Sequence, residues 1–227
     1  MSETLRNLLM WPLNLLRDSP RRMGRLIGIL AAGPPVGKDS FGVWLHILGW
    51  ALFDLVGGPE IVQFFWRMAA DTRPLTAEEL TSVTAVLGPK AIRYGDVRIA
   101  NGGLLRYAFN NNNNRAFATW HTINLPPKRE HNMALLVHEL THTRQYERVG
   151  SVYIGQGLGA QRKHGHHAYD YGGPGGLHEH RAAGKRYCDY NREQQGQIAQ
   201  DYCALVEAGE DTSVYEPFIK ELREGIV

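Results

Sequence analysis

One segment of this chain leaves few structural options: Val137-His138-Glu139-Leu140-Thr141-His142. Residues four apart on an α-helix share a face, so His138 and His142 can aim imidazole nitrogens at a single metal ion. Glu139 then projects beside that ion, where a carboxylate can take a proton from water. Two His, a carboxylate and an open position make zinc the expected occupant. The flanks read as helix too. Asn132 is a suitable N-cap, Met133 to Val137 is apolar, and Gly150 stands where a helix stops. The apolar first half is expected to bury and the polar second half, Thr143 to Arg148, to surface, with the two His at the border of core and cleft.

A third ligand has to come from another element. Tyr190 to about Ala208 is helical in pattern, and its Glu193 lies 51 residues after His142. Gly196 and Ala199 are small, which lets this helix approach the motif helix closely. Asp201 is a candidate to hold a ligand His by its other ring nitrogen.

The remainder predicts an α+β chain in two parts. Residues 1–72 are apolar and helical. Leu5 to Leu16 forms an amphipathic segment closed by Arg17, Asp18 and Pro20, and Leu26 to Ala32 is apolar up to Gly33-Pro34-Pro35. Phe41 to Val56 and Ile61 to Ala70 then form a helical pair around Gly57-Gly58-Pro59. An apolar stretch of sixteen residues holding Asp54 is short for a membrane span. The pair is either a hairpin packed on the second part or, through residues 25–70, a membrane or chaperone contact. The loop Gly33 to Asp39 resembles a phosphate loop, but it is one residue short and has Asp39 at the Ser/Thr place, so nucleotide binding is rejected.

Residues 73–227 form the second part. Thr76 and Glu79 make a capping box for a helix ending at Leu87. Val97-Arg98-Ile99, Leu104 to Phe109 and Ala116 to Leu125 read as strands, the last two joined by the Asn110–Asn114 turn. An edge strand preceding the motif helix can lay an extended peptide across the metal. His121 is either a group facing that cleft or an ordinary strand residue. Ser151 to Asp189, rich in Gly, His and Tyr, reads as a surface flap. The tail holds one short helix.

With a net charge of +2 and no basic run, nucleic acid is not expected as a partner. Cys188 and Cys203, if on one helix, sit about 22 Å apart, beyond disulfide reach. The first twenty residues do not have the pattern of a cleavable signal peptide.

His138-Glu139-Leu140-Thr141-His142 followed by Glu193 in Arg-Glu-Gln-Gln-Gly-Gln-Ile-Ala-Gln-Asp-Tyr resembles the gluzincin zinc metallopeptidases. More narrowly it is similar to metallopeptidase modules of bacterial polymorphic toxins, including those attached to type VI secretion spikes. The similarity covers roughly Arg73 to Ala208. It implies a zincin-like fold, a small sheet with an active-site helix and a second ligand-bearing helix. It also implies zinc on His138, His142 and Glu193, with Glu139 as general base. Two departures matter: Gln145 and Arg148 stand where a metzincin extension would have Gly and a third His, and Gln197 where the thermolysin-like pattern has Asp. Asp189 therefore joins Asp201 as a candidate behind the ligands, and Asp170 is a rival third ligand.

The expected activity is metal-assisted hydrolysis of a peptide or similar amide, with Tyr169, Tyr171, Tyr190 and His178 as candidate oxyanion donors. The expected setting is the bacterial cytoplasm before export by a specialised secretion system. The alternative is a non-catalytic zinc-organised binding module of such a system.

Overall fold

Pro12 and Pro20 do not divide the N-terminal apolar stretch. In the computed structural model, which describes residues 3–36, 40–102, 115–129 and 131–227 with side chains from Leu9 onward, Glu3–Ala32 is a single helix, α1. Two segments were expected here. Both prolines lie on the exposed side of α1, where the carbonyls they leave unbonded can be hydrated. Helix α2 (Ser40–Leu55) and helix α3 (Gly58–Ala69) fold back on α1 and on each other. Gly57 makes the bend between them at φ 80°, a conformation that favours glycine. The Gly37–Asp39 stretch, the Leu104–Phe109 strand and the Asn110–Asn114 turn lie outside the described residues.

The second part is mostly helical around a small mixed sheet. Strands β1 (Thr72–Arg73), β2 (Arg98–Ala100), β3 (Phe117–Thr119) and β4 (Thr122–Asn124) lie in the order β1-β2-β4-β3. β2 and β4 run parallel, with Ile99 opposite Ile123, and the outer pairs are antiparallel. Ala116 to Leu125 was expected to be one strand; it is a hairpin, turned at Trp120 and His121. Trp120 sits at φ 57°, unusual for a bulky residue. Its backbone N–H donates to the Tyr153 hydroxyl (3.0 Å), its carbonyl accepts from Thr143 (2.8 Å) and its indole N–H donates to Ser151 (2.7 Å). Those bonds hold a turn that no Gly or Asn announces. The same turn takes His121 away from the cleft: its ring nitrogen bonds Glu147 (2.8 Å) and its backbone N–H donates to Gln63 (3.0 Å).

Helix α4 (Ala77–Leu87) begins with the expected box, Glu79 N–H to Thr76 Oγ1 (3.1 Å) and Thr76 N–H to Glu79 Oε2 (2.7 Å). The motif helix α5 (Met133–Val149) starts at Asn132, whose Oδ1 accepts from Leu135 N–H (2.8 Å), and stops at Gly150. Of its polar second half only Arg148, and in part Glu147, reaches the surface. Thr143, Arg144, Gln145 and Tyr146 are all buried, because each finds a partner, Arg144 on the Ala91 carbonyl and Tyr146 on Arg22.

Nor is Ser151–Asp189 a plain flap: it holds helix α6 (Val152–His164), a 3₁₀ turn at Gly165–Tyr169, helix α7 (Gly173–Ala182) and a 3₁₀ turn at Tyr187–Asp189. Helices α8 (Arg192–Ala208) and α9 (Glu216–Glu224) complete the chain. Cys188 is exposed in the second 3₁₀ turn, while Cys203 is buried in α8; both thiols are free. α8 packs along α5, and residues from both helices join β2, β4, α4 and α9 in one apolar core around Leu136, Leu140, Ile198 and Phe218.

The two parts meet across a polar seam. Arg22, buried on α1, forks onto the Glu60 carboxylate and also donates to the Asp54 carbonyl (2.6 Å) and the Tyr146 hydroxyl (3.0 Å). Arg93 forks onto Asp18 (2.9 and 2.8 Å). Asp54 accepts from the Ser151 backbone N–H (2.9 Å) and hydroxyl.

Candidate metal centre

Where α5 passes α8, three donors converge. His138 Nε2 and His142 Nε2 each lie 3.6 Å from Glu193 Oε2. The donor atoms of His138, His142 and Glu193 are all within 4.8 Å of one another, and all three residues are buried. Bonds of about 2.0–2.1 Å at tetrahedral angles would set donors roughly 3.4 Å apart, so the spacing fits a metal ion held by the three.

Local sequence chemistry sets each position. Asn191 caps α8, its Oδ1 accepting from Glu193 N–H and Gln194 N–H at 2.9 Å each. Glu193 therefore sits in the first turn, where the helix dipole favours a carboxylate. The close approach needs glycine on both sides. A Cβ at Gly196 would lie 2.8 Å from His138 Nε2, and one at Gly157 of α6 would lie 2.8 Å from Glu193 Oε1.

Behind the ligands stands Gln145, not an Asp. His142 Nδ1 lies 2.9 Å from Gln145 Oε1. The Gln145 amide donates to the Gln195 side chain (2.8 Å) and the Arg192 carbonyl (3.0 Å), which fixes its oxygen toward His142. Gln195 in turn donates to the carbonyls of Tyr187 and Tyr190. The chain leaves the His142 Nε2 lone pair for the metal. Gln145 lies three residues after His142 and continues the helical face of the two imidazoles, which is the signal its sequence position carries. Replacing Gln145 with Leu should weaken zinc binding about 10–100-fold in a competition titration, while Gln145→Glu, which keeps the acceptor, loses less. Equal affinity of the Leu variant would remove this role.

Burial disfavours the charged imidazole of His142, yet the Glu193 carboxylate outweighs it and raises the metal-free pKa to about 9. Burial likewise works against ionised Glu193, and the two imidazoles overcome it, holding the carboxylate well below its usual range. A metal must displace the His142 proton. Zinc affinity should thus climb from pH 6.5 toward 9 and level off above it, with proton release measurable by calorimetry in two buffers. A flat profile would sink this coupling.

Glu139 is buried beside the group. Burial raises its pKa first, the two His oppose that, and Glu193 adds to it. The backbone N–H of Ala118 on β3 serves the carboxylate, while Oε2 has no hydrogen-bond partner among the described residues. A cleft of about 320 Å³ opens over the donors, walled by the edge strand at Ala116–Ala118, by Ile154 and Leu158 of α6, and by Tyr169. Tyr153 stacks on His142, with ring centroids 6.2 Å apart, and donates to the Ala118 carbonyl (3.1 Å), tying the edge strand to a ligand. Nothing in the local sequence marked Tyr153 or Gly157.

Of the other candidates, Tyr169 is at the cleft, its ring 5.9 Å from that of His138 and its hydroxyl bonded by Gln161 (3.1 Å). Burial, then the Glu193 charge, keeps it a neutral donor. The rest are corrected by their contacts. Asp201 accepts from Tyr171 (2.5 Å) and Gln197 (2.7 Å), which removes Tyr171 as well. Asp189 caps its 3₁₀ turn on Arg186 N–H (2.8 Å). Tyr190 bonds His180 (3.0 Å) and packs on Phe218. His178 is exposed on α7, and Asp170, also exposed, accepts from Gly172 N–H (2.9 Å) while Glu193 holds the place it was to fill.

Residues 74–150 match the family model of the eCIS core domain, a family of extracellular contractile injection systems related to secretion. That stretch is about a third of the chain; it includes β2–β4 and α5 and thus His138, Glu139 and His142, but not Glu193. No curated protein and no solved structure matches the chain.

Proposed function

We propose that this chain is a zinc-dependent peptidase with a zincin-like site, acting with the components of a contractile injection or related secretion system. The observation that carries it is the asymmetry of the centre. Three protein donors meet on one side, and on the other, facing an open cleft, stands a buried Glu139 oxygen without a partner. A purely structural zinc site closes with four protein ligands. A bound zinc ion supplies Lewis-acid polarisation of a carbonyl and acidifies water. The residues supply the rest. Glu139, its charged form penalised by burial, takes a proton from the attacking water and returns it to the leaving amine. Tyr169 donates to the carbonyl oxygen as charge develops there. An extended substrate lies along β3, which walls the cleft.

The cleft walls include Arg115 and Arg129, and no acid besides Glu139 and Glu193 among the described residues. Peptides with acidic residues near the scissile bond are therefore the preferred class. The test is to load the purified chain with zinc, incubate it with a mixed peptide pool and read new termini by mass spectrometry. Cleavage should stop with a chelator, return with zinc and cluster near Asp and Glu. A zinc-loaded chain that cuts neither peptides nor proteins would favour the binding-module reading.

A further inference from the structure

The first seventy residues present an outer surface that the metal centre does not use. Along α1, Leu9, Leu13, Leu16, Met23, Ile27 and Leu30 are between 45% and 71% exposed, and their spacing puts them on one stripe of the helix. Phe41 and Leu52 of α2 and Phe65 and Met68 of α3 are likewise exposed. Isolated exposed apolar residues are ordinary; a full stripe on α1 with further exposed Phe, Leu and Met side chains on the two helices packed against it is not. Its charge is sorted as well. The described residues 9–70 hold five arginines and three acids, a surplus of two positive charges. All three acids are turned inward: Asp18 to Arg93, Asp54 to Ser151 and Arg25, Glu60 to Arg22. Arg17 is paired with Asp96 (2.6 Å), while Arg21, which donates to the Glu147 carbonyl (3.0 Å), faces outward. Trp11, Trp44 and Trp50 are half-buried in the same segment, while Trp66 turns inward to Asn124.

We propose that helices α1–α3 dock the folded protein flat on a bilayer that carries anionic phospholipid. Exposed apolar side chains, an outward arginine on helices whose described acids all turn inward, and amphipathic indole rings are what the headgroup region of such a membrane accepts. A flat mode fits better than a span. Among the described residues no single helix is long and apolar enough to cross a membrane, and α2 with α3 passes only as a pair bent by 66°. Asp54 and Glu60 flank that bend and are anchored into Ser151 and Arg22, so straightening the pair would strand both carboxylates in hydrocarbon.

The test is flotation of the full chain with phosphatidylcholine vesicles, with or without about a third of phosphatidylglycerol, across a salt series, beside light scattering of the protein alone. Binding should be at least tenfold tighter to the anionic vesicles and weaken with salt. Leu13→Glu with Ile27→Glu should cut it at least tenfold, and zinc content and melting temperature, unchanged at these exposed positions, will show the fold intact. The proposal is overturned by no flotation, by equal binding to neutral vesicles, by undiminished binding of the double variant, or by a dimer that the double variant dissociates. That last result would make a second copy the occupant of the face. Failure here leaves the peptidase reading untouched, since the readouts are independent.

Discussion

Replacing Glu139 with Gln is expected to leave zinc content and folding as they are and to lower turnover by roughly 10²–10⁴-fold or more, the range for a positioned general base. The carboxylate is buried with one oxygen free, and the amide is of nearly equal size, so packing survives. What is lost is a group able to take and return a proton. The loss should fall on kcat and not on KM, because substrate lies along β3 and the arginine-lined walls in both proteins. Activity of the Gln variant within threefold of the parent would take Glu139 out of the chemistry. Loss of zinc from it would mean that the carboxylate holds metal and is not a base.

The second large effect concerns stability. Arg22 is fully enclosed and makes four contacts, two with Glu60, one with the Asp54 carbonyl and one with Tyr146. Arg22→Met leaves the Glu60 charge buried alone, which costs about 3–5 kcal/mol. For a chain of this size that is a fall of about 6–20 °C in Tm. Replacing both partners, Arg22→Met with Glu60→Gln, removes the stranded charge and should recover most of the loss. If the single and double variants melt together, the pair is not coupled.

How far the fold and site could be read from sequence depends on where the determining physics lies. The motif helix was legible from end to end, since Asn132, the i, i+4 imidazoles and Gly150 are local signals, and the Thr76–Glu79 box was equally plain. Gly196 announced a close helix approach, and it faces the His138 ring. The hairpin at Trp120 was not legible because its left-handed turn is held by Tyr153, Thr143 and Ser151, residues far along the chain. The burial of Thr143 to Tyr146 depends on partners that local periodicity cannot see. The flap proved helical although glycine and histidine are poor helix formers, a preference outweighed where Tyr153 of α6 packs on Trp120 and Tyr146. Behind His142 an Asp was sought because carboxylates usually fill that place, and an amide chain through Gln145 and Gln195 does it instead.

Asp54 belongs to the N-terminal helices, yet its carboxylate grips the residue from which α6 sets out, and α6 roofs the cleft. The roof of the cleft is thus fastened in part to the N-terminal helices. Without the first seventy residues α6 would keep its ties to the hairpin and to α8 and lose this one, so whatever takes hold of that segment also bears on the roof over the three donors.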